Sequence, residues 1–168
     1  MSAPLWQPTA ELTSRAQWTE FRRRAEQQTG RDLSDPIALY RWSIDEPAAF
    51  WELVWSFAQL RGDGPGPALA RGAARTMPGT RWFTEARPNF AENLLRKSGG
   101  EPALIFRAES QCEGTWSWDE LARAVAACSA FLRERGVRPG DRVAGWLPNG
   151  PHAIAAMLAS ASAGAVWS

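Results

Sequence analysis

The stretch Gly136-Val137-Arg138-Pro139-Gly140-Asp141-Arg142-Val143 separates a long amphipathic pattern from an apolar run, and its reading decides the fold class. Upstream of it, Leu121, Val125, Cys128 and Leu132 step by four, three and four, the spacing of one helix face. Ser117 and Glu120 stand in the Ser-x-x-Glu order of a capping box at the start of that helix, and Gly136 suits its C-terminal end. Pro139, Gly140 and Asp141 form a turn, after which Val143, Ala144, Gly145, Trp146 and Leu147 read as a buried strand. Pro148, Asn149, Gly150 and Pro151 then open a second helix, Ala153 to Ala163, whose small and apolar residues predict burial on most sides. Beyond Gly164, Ala165, Val166 and Trp167 begin a further strand. Helix, strand, helix and strand in this order specify a βαβ unit of a parallel sheet, so the expected fold class is α/β.

Immediately upstream, Ala103, Leu104, Ile105 and Phe106 form a short apolar strand. Thr115, Trp116 and Trp118 supply a hairpin partner across the polar stretch 109–114. Before residue 100 the pattern is helical. Leu12, Trp18, Phe21 and Ala25 share one face of a first helix, which Gly30 closes. A second helix begins at Ser34, Asp35 and Pro36 and presents Ile37, Leu39, Tyr40 and Trp42. Asp45 and Pro47 restart the pattern, and Phe50, Trp51, Val54, Trp55 and Phe57 follow as a dense aromatic stripe. Aromatic residues at helical spacing are more often core than a cofactor box, so the stripe is read as packing. Arg61 to Gly79, rich in Gly, Pro, Ala and Arg, reads as a loop. The alternation Gly62, Gly64, Gly66 is not a phosphate loop, because Pro65 and Pro67 remove the amide donors that such a loop needs.

Composition bounds the partners. With 168 residues, 45% hydrophobic and 22% charged, the chain can bury a sizeable core. A formal net charge of +1, with both signs mixed along the chain, leaves no electrostatic footprint for nucleic acid. Cys112 and Cys128 have neither a Cys-x-x-Cys partner nor a histidine cluster and are read as reduced thiols rather than a metal site. The longest apolar run, Ala153 to Trp167, falls short of the roughly 20 residues of a membrane span and is interrupted by Ser160, Ser162 and Gly164. Met1 to Thr9 lack the pattern of a signal peptide. A soluble, cytoplasmic protein without membrane or nucleic-acid partners is the expectation.

Thr115-Trp116-Ser117-Trp118-Asp119-Glu120-Leu121, the stretch from Gly136 to Val143, Leu147-Pro148-Asn149 and Gly164-Ala165-Val166 together resemble the opening of the large domain of adenylate-forming enzymes. Upstream, Tyr40-Arg41-Trp42-Ser43, Phe50-Trp51, Arg81-Trp82-Phe83 and Asn89-Phe90-Ala91-Glu92-Asn93-Leu94-Leu95-Arg96 are similar to the amino-terminal extension of the acetyl-CoA synthetase branch. The wording at Trp82-Phe83, from Ala91 to Arg96 and from Gly164 to Ser168 looks most like the acetoacetate-activating subfamily of that branch. The resemblance covers nearly the whole chain. It implies an amino-terminal extension over residues 1–100 and the start of a large AMP-binding domain over 101–168, incomplete at its carboxy end. Two positions depart from the pattern: Pro88 replaces an apolar residue, and His152 stands where an acidic residue usually opens the helix and favours its dipole.

Such enzymes join a carboxylic acid to AMP, using ATP and Mg2+, and then pass the acyl group to the thiol of coenzyme A. The adenylate turns a poor electrophile into one with a good leaving group while cations neutralise phosphate charge. The family's Gly-x-Pro-Lys phosphate loop, adenine motif, ribose-binding aspartate and late catalytic lysine have no counterpart in this sequence. Lys97, the only lysine, stands beside Ser98, Gly99 and Gly100 in an order that fits neither that loop nor a P-loop, and the segment is read as a linker. No residue is therefore assigned to catalysis, to a cofactor or to a metal. Trp82, Phe83, Asn89, Glu92, Asn93, Pro139, Gly140, Asp141, Pro148, Asn149, Gly164 and Trp167 are assigned as structural signature positions in turns, caps and packing.

The resemblance implies that the parent enzyme uses acetoacetate, ATP, Mg2+ and coenzyme A and includes a carboxy-terminal part, whereas this chain alone is expected to bind no cofactor and to be inactive. Two other readings stand beside it: a portion of an acetyl- or propionyl-CoA synthetase, and a free-standing interaction module, which would be a monodisperse folded species with protected amides from Arg142 to Val166.

Overall fold

Residues 5–69, 79–108 and 113–168 are described by the computed structural model; Cys112, and residues 70–78 of the expected 61–79 loop, lie outside them. The chain divides into two compact units, Met1–Ala86 and Arg87–Ser168.

Among its described residues the first unit is built on four helices, the last ending at Phe57. Thr9 caps α1 (Ala10–Arg15) by accepting the Leu12 amide at 3.2 Å, and α2 (Gln17–Thr29) follows after one extended residue, Ala16. The single first helix expected from the periodicity is thus two. Thr19, buried in α2, donates its hydroxyl to the Thr13 carbonyl at 2.6 Å across the break. A short polar side chain offering the backbone an alternative partner is a known way to interrupt a helix, and periodicity does not reveal it. Gly30 closes α2 at φ 68°, as expected, its amide donating to Glu26.

Asp35 caps α3 (Pro36–Asp45) by accepting the Ile37 amide at 2.9 Å, and α4 (Pro47–Phe57) restarts at Pro47. Ala25, Leu33, Leu39, Trp42 and Leu53 form the core. Phe21 meets Phe50 and Phe57 edge-on at 5.7 and 5.2 Å between ring centroids, and Phe50 meets Trp42 in the same way at 5.7 Å. The aromatic stripe therefore splits: Phe50 and Phe57 pack on Phe21, whereas Trp51 and Trp55 line an open cavity described below.

The second unit is α/β. A five-residue helix, α5 (Phe90–Leu94), precedes the hairpin of β1 (Pro102–Arg107) and β2 (Glu113–Ser117), which is antiparallel with Ile105 opposite Thr115. Trp118, expected in the second strand, instead opens α6 (Trp118–Glu134) because the capping box takes Ser117 as its N-cap. The Glu120 amide donates to Ser117 Oγ at 3.2 Å and the Ser117 amide to Glu120 Oε2 at 2.7 Å, so two otherwise orphan donors are satisfied. At the other end, Gly136 adopts φ 82°, and Val137 and Gly136 donate their amides to Leu132 and Arg133.

Two-residue strands β3 (Arg142–Val143) and β4 (Val166–Trp167) pair in parallel on either side of α7 (Pro151–Ser162), completing the βαβ order expected. Leu121, Val125 and Leu132 of α6 bury against Ala155, Leu158 and Ala159 of α7, with Ala91 of α5 in the same cluster. The buried strand expected over residues 143–147 is shorter: it ends at Val143, and Trp146 is 103% exposed. Among the described residues β3 has β4 as its only partner, and the last pairing bond runs from the Gly145 amide to Ser168. An apolar run becomes a buried strand only where neighbours cover both faces, and its composition is the same whether or not they do. No helix among the described residues is long and apolar enough to cross a membrane.

Candidate functional site

The signature positions gather in three places. In the first unit, Trp82 and Phe83 stand on a segment held by an antiparallel bridge between Leu69 and Trp82 and by the Phe83 amide, which donates to Ala68 at 3.0 Å. Gly66 tucks beneath the Glu85 side chain, where a Cβ would come within 2.7 Å of the carboxyl carbon. These ties aim Trp82 and Phe83 at α4, where they enclose a cavity of about 320 Å³ with Trp51, Val54, Trp55 and Leu60. Trp51 and Trp82 meet at 5.9 Å, and Trp55 and Phe83 at 4.9 Å. Phe83 holds φ 41°, a conformation that a bulky side chain adopts only when its surroundings impose it.

Asn89 is the hub of the second place. Its Oδ1 accepts the Glu92 amide at 3.1 Å, capping α5, while its Nδ2 donates to the carbonyls of Ala161 and Ser162 at 3.2 and 3.3 Å. One side chain thus serves an amide at one helix start and two carbonyls at one helix end. Asn93 secures the arrangement by donating to the Asn89 carbonyl at 2.9 Å, and Glu92 lies exposed in the first turn of α5, where a negative charge suits the dipole.

The third place is the crossing of the two loops that lead into β3 and β4. The Arg138 amide donates to Asp141 Oδ2 at 2.7 Å, fixing the turn. The Gly140 amide donates to the Gly164 carbonyl at 2.9 Å, and the Val166 amide to the Asp141 carbonyl at 2.7 Å. Gly164 has φ 71°, a conformation that favours glycine, and a Cβ there would approach Pro139 to 3.2 Å, so that ring would have to give slightly. Trp167 lays its indole against Gly145. Pro148 and Asn149 are exposed ahead of α7, and Asn149 borders a cleft of about 210 Å³ between β1 and the start of α7.

Chemically reactive groups are sparse. His152, the only histidine, sits exposed in the first turn of α7 with its ring edge-on to Trp116 at 5.0 Å. Lys97 Nζ lies 5.5 Å from the centre of the Trp118 ring. Gly99, two residues on, is tied to α6: its amide donates to Asp119 Oδ1 at 2.7 Å, and the Asp119 amide returns to the Gly99 carbonyl. Cys128 is a free thiol. Among the described residues no group of three or more His, Cys, Asp or Glu side chains is placed to hold a metal ion. The Glu120 carboxyl is held below the usual carboxylate range by the Ser117 amide and hydroxyl, and Asp32 is lowered chiefly by the Ser34 hydroxyl and then its amide.

Residues 90–168 match the family described as AMP-binding enzyme. That match spans nearly all of the second unit. The likeness to known proteins extends beyond this segment to almost the entire chain. An acetoacetyl-coenzyme A synthetase of Rhizobium meliloti (strain 1021) is 44% identical over 165 residues, which are 98% of this chain and 25% of that protein. An acetoacetyl-CoA synthetase of Danio rerio is 36% identical over 99% of this chain and 25% of that protein. The solved structure of acetoacetyl-CoA synthetase from Streptomyces lividans superposes with a TM-score of 0.86 at 41% identity, over 99% of this chain and 26% of that one. The chain thus corresponds to an amino-terminal portion of these synthetases and spans about a quarter of their length.

The matched segment also contains polar positions that no sequence motif marks. Ser129 and Ser162 share a hydroxyl–hydroxyl bond of 2.8 Å between α6 and α7, and Ser160 is fully buried. Ser129 stands between Cys128 and Leu132 of the apolar stripe, and its small size at that spacing was the available signal.

Proposed function

We propose that this chain is the amino-terminal part of an acetoacetate-CoA ligase, an enzyme that converts acetoacetate, ATP and coenzyme A into acetoacetyl-CoA, AMP and diphosphate through an acyl-adenylate. The observation that carries the proposal is the 44% identity running through both units rather than through the AMP-binding segment alone. In this reading residues 1–100 are the extension and 101–168 the start of the large domain, the enzyme works in the cytoplasm, and its partner is the carboxy-terminal part of the same polypeptide.

The described residues do not fit ATP or Mg2+. Pro65 and Pro67 lack amide hydrogens, the Gly99 amide and the Asp119 carboxylate satisfy one another, and no acidic cluster is placed to take a cation. No chemical step is therefore assigned to them. Their proposed contribution is positional: Asn89 fixes the end of α7, and the Gly140–Gly164 crossing sets the start of β3 and β4. The proposed signature roles of Trp82, Phe83, Glu92, Asn93, Pro139, Asp141, Pro148, Asn149 and Trp167 are of the same structural kind.

A chimera tests this. Replacing the corresponding segment of the Rhizobium meliloti synthetase with this chain should retain acetoacetate-dependent AMP formation above that with acetate or propionate. A folded chimera without that activity, or AMP formation by the 168-residue chain alone, would overturn the proposal.

A further inference from the structure

We draw no further inference here: the strongest candidate, the aromatic-lined cavity of the first unit between Trp51, Trp55, Trp82 and Phe83, is an unpartnered apolar surface, and nothing in the structure shows what covers it.

Discussion

The two units are held together by different means. In the first, a few large rings meet edge-on around Trp42, Phe50 and Phe21, and much of the order depends on how those rings share a small volume. In the second, the buried residues are small or medium, and caps, turns and helix-end bonds specify the geometry: Ser117 with Glu120, Asn89 with α7, Gly140 with Gly164. The difference is that one unit fills its core with a few bulky rings, while the other combines a core of small and medium side chains with many modest hydrogen bonds.

Mutations should break this contrast in a graded way. Trp42→Ala, which empties the centre of the aromatic core, should cost about 3–5 kcal/mol in urea denaturation. Trp42→Phe should cost much less, because among the described residues the Trp42 Nε1 has no hydrogen-bond partner to lose; a Trp42→Phe loss equal to that of alanine would contradict this. Asn89→Ala removes a cap and opens two helix-end carbonyls, so a loss of about 1–3 kcal/mol is expected by the same measurement. If it matched Trp42→Ala, stability would be as concentrated in the second unit as in the first.

Ser117→Ala should cost about 1 kcal/mol as a lost N-cap. The partner carboxyl adds a pH signature. Glu120 is held below its ordinary value in the fold, so its contribution is present above the ordinary carboxylate pKa of about 4.3 and fades as pH falls through the lowered folded value. Denaturation of wild type and Glu120→Gln at descending pH should show their difference shrinking below about pH 4; a gap that persists at lower pH would contradict the assignment. Smallest of all, Trp146→Ser should shift stability by less than about 0.5 kcal/mol, since that indole is exposed. A large loss there would restore the buried strand that composition suggested.

The same contrast explains what the residues disclosed in advance. The capping box, the Gly30 and Gly136 helix ends and the βαβ order were readable because each is a local signal in which residue type and backbone conformation are directly coupled. The break at Ala16 was hidden, since it depends on a buried Thr19 hydroxyl reaching back six residues. Of the signature positions, Asp141 and Asn89 announced turn and cap chemistry, but not that Asn89 would reach residues 161 and 162, or that Gly140 would bond to Gly164. Those partners are set by the packing of α5 and α7 and by β3–β4 pairing, and chain separation conceals them.

The position of α5 has a practical consequence for anyone dissecting the molecule. Composition changes character near residue 101, yet Ala91 is fully buried with α6 and α7, and Leu95 packs on the same cluster. A shortened protein started at Glu101 would strip an apolar flank from its longest helices and leave the Ala161 and Ser162 carbonyls without the Asn89 amide. One started at Arg87 would carry its own lid.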